Sequence, residues 1–334
     1  MQAAIIRIGT RGSPLALAQA REVEARLKAA HGASAGASAG PSAGPGGAVG
    51  KLAFEVRIIK TSGDRIQDRP LAEAGGKGLF TKEIEEALLA REVEIAVHSM
   101  KDMPTVLPPG LTLAAFLPRE DVRDALICAK ASSLADLPGG AVVATSSLRR
   151  QAQVRHLRPD IGVVSMRGNV ETRLRKLAEG AADATLLAMA GLNRLGLADR
   201  AAGPVSVEEM LPAVAQGAIG VEIRADDERM AQLLAPLNHE PTALAVTAER
   251  AFLAKLEGSC RTPIAALGEL LDGHPGGPAG IRFAFRGMIL SPDGRRCFKA
   301  RREGRPEEAL RLAEDAAAEI LAAAGPEFVR SLQG

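Results

Sequence analysis

The sequence predicts an α/β protein of two or three domains that closes with a small α+β unit. Three observations predict it. The chain has 334 residues, more than one ordinary core organises. Short apolar runs alternate with stretches of helical periodicity, the pattern of strand–helix units around largely parallel sheets. Three strand-to-helix junctions carry arginine at or near the helix start, which suggests a polyanionic ligand held by guanidinium forks. A formal net charge of +2 supplies no field that would recruit nucleic acid. With no Trp, no Tyr and 8 Phe, few surfaces remain for stacked bases, so a nucleic-acid binder is excluded.

Residues 5–8 form the first strand. Ser13 is a natural N-cap and Pro14 suits the first helical position; Ala16, Ala20, Val23 and Leu27 then share one helical face. The turn between offers free backbone N–H groups to an anion, and Arg11 strengthens that reading; a capped helix with a solvated arginine is the plainer one. Residues 29–50 are almost all Ala, Gly, Ser and Pro and are expected to form a flexible, dispensable loop. Residues 54–59 resume as a strand. Gly75, Gly76, Lys77 and Gly78 lack P-loop spacing and suggest a glycine-hinged lid. Thr81 is expected to cap a helix that turns Ile84 and Leu88 inward. Residues 93–102 begin as a buried apolar strand and end in Lys101 and Asp102. Ligands in open α/β sheets bind beyond such carboxyl ends, although a surface ion pair beside a turn is the bland alternative.

A second α/β unit follows. Residues 125–129 and 141–145 are strands, and Cys128 in the first reads as an inert core thiol. Ser146 and Ser147 open a helix with Arg149 and Arg150 in its first turn. Two cations there oppose the helix dipole at about 0.3–1 kcal/mol each, so an anion is expected beside them; otherwise both point into water. Removing one is then expected to leave stability unchanged or slightly raised. Residues 161–166 are a strand, and Arg167, Gly168 and Asn169 turn into a helix carrying Arg173. Residues 184–188 are a strand before a short helix with Arg194. Gly217, in the loop before the next strand, is expected to let the backbone approach a ligand. Residues 242–256 form a helix with Leu244, Thr247, Ala248, Ala251 and Phe252 on one face. Cys260 follows in a loop beside Arg261, a setting that lowers a thiol pKa, though an isolated loop cysteine is more often an ordinary surface thiol. Strands at 281–289 and 296–300 flank a turn at Pro292, Asp293 and Gly294. Residues 306–324 are a closing helix with Leu310, Ala313, Ala317, Ile320 and Leu321 inward.

Eight stretches follow one another along nearly the whole chain. They begin with Thr10-Arg11-Gly12-Ser13-Pro14-Leu15-Ala16, Gly75-Gly76-Lys77-Gly78-Leu79-Phe80 and Val97-His98-Ser99-Met100-Lys101-Asp102. Thr145-Ser146-Ser147-Leu148-Arg149-Arg150-Gln151, Arg167-Gly168-Asn169-Val170 and Ala190-Gly191-Leu192-Asn193-Arg194-Leu195-Gly196-Leu197 continue the series. Gln216-Gly217-Ala218 and Leu256-Glu257-Gly258-Ser259-Cys260 complete it. Together and in this order they resemble the porphobilinogen deaminase (hydroxymethylbilane synthase) family. The chain departs from the family at Ala215, where Gly is usual, and in the length of 29–50.

The resemblance implies two periplasmic-binding-protein-like (type II) α/β domains around a cleft, built from residues 1–116 with 217–237 and from 117–216. It also implies a small α+β domain over 240–334. It implies condensation of four porphobilinogens head to tail with loss of ammonia, primed on a dipyrromethane held by a thioether to Cys260, then hydrolytic release of hydroxymethylbilane. Asp102 matches the catalytic carboxylate. Arg11, Ser13, Gln19, Ser99, Lys101, Thr145, Ser146, Ser147, Arg149, Arg150, Arg167, Gly168, Arg173, Arg194, Gln216 and Gly217 match cofactor and substrate binders. The family further suggests a monomer of porphyrin (heme) biosynthesis that hands its product to the next enzyme of the pathway. A two-lobed, non-enzymatic binder of a small anion shares the cleft and the arginines, but needs neither Asp102 among cations nor a reactive Cys260.

No Cys-x-x-Cys occurs, and Ala243 stands where a zincin helix after His239 and Glu240 would need its second His, so no metal is expected. Three widely spaced cysteines argue against a disulfide framework. The first residues lack a signal-peptide layout and no apolar run approaches about 18 residues, so a cytoplasmic protein with no membrane partner is expected.

Overall fold

A computed structural model describes residues 5–32, 52–65, 78–259, 262–272 and 280–332. The alanine–glycine stretch at 33–51 and most of the glycine-rich 75–78 motif lie outside the described residues. β1 (Ile5–Thr10) leads into α1 (Pro14–Gly32), where Ser13 Oγ accepts the Ala16 N–H at 3.3 Å and Ala16, Ala20, Val23 and Leu27 are buried as their spacing requires. β2 (Ala53–Ile58) and the short α2 (Ser62–Arg65) follow. α3 (Lys82–Leu89) buries Ile84 and Leu88, but Thr81 makes no capping bond; its hydroxyl lies 3.5 Å from the Gly78 carbonyl instead. β3 (Ile95–Ser99) ends in a single 3-10 turn, Met100–Asp102, and β4 (Leu111–Phe116) completes this stretch.

The second lobe begins with β5 (Asp124–Cys128) and β6 (Val142–Ala144), then α4 (Leu148–Leu157), β7 (Gly162–Val164) and α5 (Val170–Ala178). β8 (Ala184–Ala188), α6 (Met189–Arg194) and β9 (Gly203–Val205) finish it. The chain then returns as β10 (Ile219–Arg224) and α7 (Glu228–Leu234). α8 (Glu240–Lys255), β11 (Ile264–Leu271), β12 (Arg282–Leu290), β13 (Cys297–Gly304), α9 (Ala309–Ala324) and α10 (Pro326–Ser331) make the third unit.

Two five-stranded sheets share one plan, β2-β1-β3-β10-β4 and β7-β6-β8-β5-β9, and the third unit has the sheet β11-β12-β13. In each large sheet three parallel strands are followed by an antiparallel one, β10 or β5, and then an edge strand. The antiparallel strand is the first strand after the chain has crossed from the other lobe. Its start therefore lies at the carboxyl edge of the parallel strands: Ile219 pairs with Ser99, and Asp124 with Ala188. Both crossings consequently land at the edge where ligands bind.

The third unit docks on both lobes. Met100, Met103 and Phe116 share a core with α8, α9 and β12, while Ala152 and Leu211 pack on Leu267, Met288 and Leu290. Phe252, Phe283 and Phe285 are fully buried there, each contributing about 1.5–3 kcal/mol. Two expected faces need correction. In α8 Thr247 is exposed and Glu249 is fully buried, because a crossing segment brings a guanidinium to Glu249. In α9 Leu310 is exposed and Leu312 buried, because in a helix this rich in alanine the sheet beneath, not the larger residues, selects the packed face. No element is expected from the sequence where α2, β4, α7, β9, β11 and α10 lie. Among the described residues no helix is long and apolar enough to cross a membrane.

Candidate active site

β3 stops at Ser99 because Met100 turns down into the core shared with α8, its N–H bonded to Ala218 O at 3.1 Å. That anchor leaves Lys101 and Asp102 half-buried at the sheet edge. Behind them, His98 Nε2 lies 3.0 Å from Glu222 Oε2, tying β3 to β10. Gln19, buried on α1, holds Ser99 through a 2.8 Å bond from its side-chain amide. The groups acting on Lys101 come from both lobes. Burial pushes its ammonium below the usual range, Arg150 and Arg173 push the same way, and Asp102 and Asp124 oppose them. Arg173 is pushed down to about 10, first by burial and then by Arg150, against the attraction of Asp102. Its Nε donates to Gly168 O at 2.8 Å, and Arg167 is among the charges it feels. Asp102 thus sits among cations drawn from two lobes.

The anion expected beside Arg149 and Arg150 is the chain's own Asp124, which sequence reasoning missed. Arg149 Nη1 and Nη2 reach its carboxylate at 2.7 and 3.1 Å, and Arg150 Nη2 and Nε at 2.7 and 3.1 Å. Their remaining bonds go to Leu211 O and Leu186 O, both at 2.8 Å. Gln216 adds a bond of 2.9 Å to the same carboxylate and one of 2.8 Å to Val122 O. Burial alone would raise the Asp124 carboxyl; the two guanidiniums outweigh it and hold it well below the usual carboxylate range. This buried pairing argues against the expectation that either arginine can be removed without loss of stability. The only sequence signal of Asp124 is an acidic residue opening an apolar strand.

The other expected residues divide by what they touch. Ser147 Oγ caps α4 by accepting the Arg150 N–H at 3.4 Å, and Thr145 Oγ1 accepts the Ser147 N–H at 3.2 Å. Ser146 Oγ lies 2.9 Å from Ser165 Oγ and donates to Met166 O at 2.8 Å. Arg194 bridges the lobes, with Nη2 donating to Gly217 O at 3.0 Å and Nε 3.4 Å from Glu22. Gly217, at φ 89°, approaches the outgoing crossing closely: an added Cβ would lie 2.4 Å from Glu120 O. Arg11 pairs with Asp64 and lies over the Phe80 ring.

Cys260 and Arg261 lie outside the described residues. Thr262 Oγ1 accepts the Ser259 N–H at 2.9 Å and donates to Ser259 O at 2.7 Å, closing the loop on either side of them. Leu256, just upstream, shares a core with Met103, just after Asp102. Arg250 of the same helix donates to Pro104 O at 2.7 Å. Cys128 and Cys297 are free and half-buried, and burial pushes the Cys297 thiol up. No cluster of three or more His, Cys, Asp or Glu side chains suited to a metal ion occurs among the described residues.

A family model described as "Porphobilinogen deaminase, dipyromethane cofactor binding domain" matches residues 6–232, and one described as "Porphobilinogen deaminase, C-terminal domain" matches 243–322. A porphobilinogen deaminase of Paracoccus denitrificans is 55% identical over 323 residues, covering 97% of this chain and 96% of its own. The chloroplastic porphobilinogen deaminase of Oryza sativa subsp. japonica is 54% identical over 333 residues, covering 98% of this chain and 87% of its own. Among solved structures, a periplasmic substrate-binding protein of an ABC transporter from Coxiella burnetii aligns with a TM-score of 0.39 at 16% identity, covering 73% of this chain and 96% of its own.

Proposed function

The chain belongs to the porphobilinogen deaminase family, and from that premise we propose which residues of the cleft carry the family's reaction. The enzyme is a hydroxymethylbilane synthase of tetrapyrrole biosynthesis: it condenses four porphobilinogens head to tail, releasing ammonia each time, and water then frees the linear product. Its cofactor is dipyrromethane, which when bound supplies the pyrrole carbon from which the chain grows.

The donor set suits this group. Each pyrrole carries an acetate and a propionate, and the half-buried Lys101 and Arg173 have cationic forms that burial disfavours and a carboxylate would restore. Arg11, Lys101, Arg167 and Arg173 take carboxylates, with Ser13, Ser99, Thr145, Ser146, Ser147 and the Gly168 backbone completing the lining. A charge-assisted hydrogen bond contributes about 1.5–3 kcal/mol, enough in number to retain a growing polyanion. Arg149 and Arg150 on Asp124 form the wall behind them and add positive field; Gln216 holds that wall, Arg194 and Gly217 fix the return crossing beside it, and Gln19 holds Ser99.

Asp102 is the catalytic carboxylate, and its place among cations from two lobes is the observation that carries this reading. As ammonia leaves the substrate, positive charge spreads onto the pyrrole, and a fixed anion beside the ring N–H stabilises it. The same carboxylate assists proton transfer to the leaving amine and from the carbon of the new bond.

We assign cofactor attachment to Cys260. The other two cysteines lie in β5 and β13 and pack against cores other than the one the α8 terminus shares with Met103. We also propose domain boundaries at 1–116 with 217–237, 117–216 and 240–334, a cytoplasmic monomer, and delivery of the product to the next pathway enzyme. Light scattering on a sizing column tests the monomer. An intact mass spectrum tests the attachment: the active protein should exceed its sequence mass by two linked pyrroles, mapped to residues 258–263. Active protein of bare sequence mass, or an adduct on Cys128 or Cys297, overturns the assignment.

A further inference from the structure

We propose that Asp64 is an exchangeable counter-ion of Arg11, a carboxylate of the chain itself that a pyrrole carboxylate replaces on binding. The exchange depends on Arg11 being a carboxylate binder of the proposed site. Arg11 leaves the end of β1 and is gripped on two sides. Its guanidinium carbon lies 4.0 Å from the centre of the Phe80 ring. Its Nη2 and Nε reach Asp64 Oδ1 and Oδ2 at 2.5 and 3.3 Å, the fork by which a guanidinium holds a ligand carboxylate.

Asp64 is placed there by the structure around it. Thr61 Oγ1 donates to Asp64 Oδ2 at 2.7 Å, Gly63 N–H donates to Leu79 O at 2.7 Å, and Ser62 N–H donates to Glu83 Oε1 at 2.8 Å. Gly63 presses so close to Phe80 that an added Cβ would stand 2.2 Å from the ring. Asp64, Phe80 and Arg11 therefore form one built arrangement. Burial would raise the Asp64 carboxyl, and the bonds from Arg11 and Thr61 hold it below the usual range, which keeps it a charged partner for Arg11.

Asp124 shows what a permanent counter-ion looks like. Its side chain is 0% exposed and both its arginines are sealed with it, so a ligand cannot take its place without stranding a buried charge. Asp64 is 30% exposed and Arg11 23%, so solvent and ligand reach the pair and the released carboxylate stays hydrated. Arg11 is thus held in its fork geometry before the ligand arrives. A ligand takes over that fork only if it brings an oxyanion of its own, such as a pyrrole carboxylate, so a neutral pyrrole is disfavoured at this position.

The test is steady-state kinetics of the holoprotein with porphobilinogen, with melting curves, for wild type, Asp64→Asn and Asp64→Glu. Asn keeps the size and the bond from Thr61 but removes the competing charge; KM should fall threefold or more, with kcat within twofold of wild type. Glu keeps the charge, and its KM should equal or exceed that of wild type. If Asp64→Asn leaves KM unchanged or raises it, Asp64 orients Arg11 without being displaced and the exchange is overturned. If both variants lower KM, loosening of the segment and not loss of charge is responsible, which also overturns it. Wild-type protein that consumes no porphobilinogen would remove the functional reading itself, and the exchange with it.

Discussion

Asp102 and Asp124 are both carboxylates among arginines, and their surroundings assign them opposite tasks. Asp102 is half-buried at the cleft, so its charge acts on a ligand; Asp124 is sealed, so its charge acts on the fold. Asp102→Asn is expected to keep the fold and the added cofactor mass while turnover falls about 10²–10⁴-fold. Turnover within a few-fold of wild type would remove Asp102 from the mechanism. Asp124→Asn should instead cost about 3–5 kcal/mol of stability, since two buried guanidiniums lose their counter-charge, and Arg149→Leu should cost a similar amount. Either variant melting like wild type would contradict this. The acid dependence has a definite sign. Because the native carboxyl of Asp124 is depressed, its stabilisation is full above the unfolded-state value of about 3.9 and is lost as pH falls below that. Acid titration of unfolding should therefore be shallower between pH 4 and 2 in Asp124→Asn than in wild type, to the extent of about one proton.

Among the elements, the two crossings place the site. β5 and β10 each start at the cleft edge because each runs against its parallel neighbours. The return crossing is stiff. Ala215 has φ 59° and Gly217 φ 89°, and Ala215 N–H donates to Glu249 Oε2 at 2.6 Å. Left-handed backbone costs a Cβ-bearing residue roughly 1–2 kcal/mol. Ala215→Gly removes that strain but adds about 0.4–1 kcal/mol of unfolded-state entropy, so it should be neutral to mildly stabilising. Gly217→Ala adds the strain and drives a Cβ against Glu120 O, so it should destabilise by more than about 2 kcal/mol and lower activity as the edge shifts. Equal melting temperatures for Gly217→Ala and wild type would show that the crossing yields easily.

Across the whole molecule, the third unit joins the crossings to each other. Glu249 of α8 accepts Arg119 at 2.6 and 3.0 Å from the outgoing crossing, Ala215 N–H from the return, and Gly268 N–H at 2.9 Å from β11. Arg119 Nε also donates to Gln216 O at 2.9 Å. One buried carboxylate thus links both lobes to the helix that leads to Cys260. Glu249→Gln is expected to cost about 3–5 kcal/mol and to split a single unfolding transition into separate ones, read by calorimetry. A single transition displaced by less than about 2 °C would show that the packed cores alone hold the units together.

Features made by neighbours in the chain were legible before any fold. Ser13 and Ser147 cap their helices because a cap needs only the next three residues, and the α1 face follows from its own spacing. Lys101 and Asp102 stand out because an apolar strand ends there, and the ordered motifs carry the family. What depended on distant partners was not legible. Asp124 meets Arg149 and Arg150 across 25 and 26 residues, and Arg119 meets Glu249 across 130. No local pattern says which carboxylate a buried guanidinium will find. Nor does it say that β5 and β10 run antiparallel, that Gly217 lies against Glu120, or that Leu312 and not Leu310 faces the sheet. Strand order and lobe packing decide those matters, because a buried charge takes whatever partner the folded chain brings within hydrogen-bond reach.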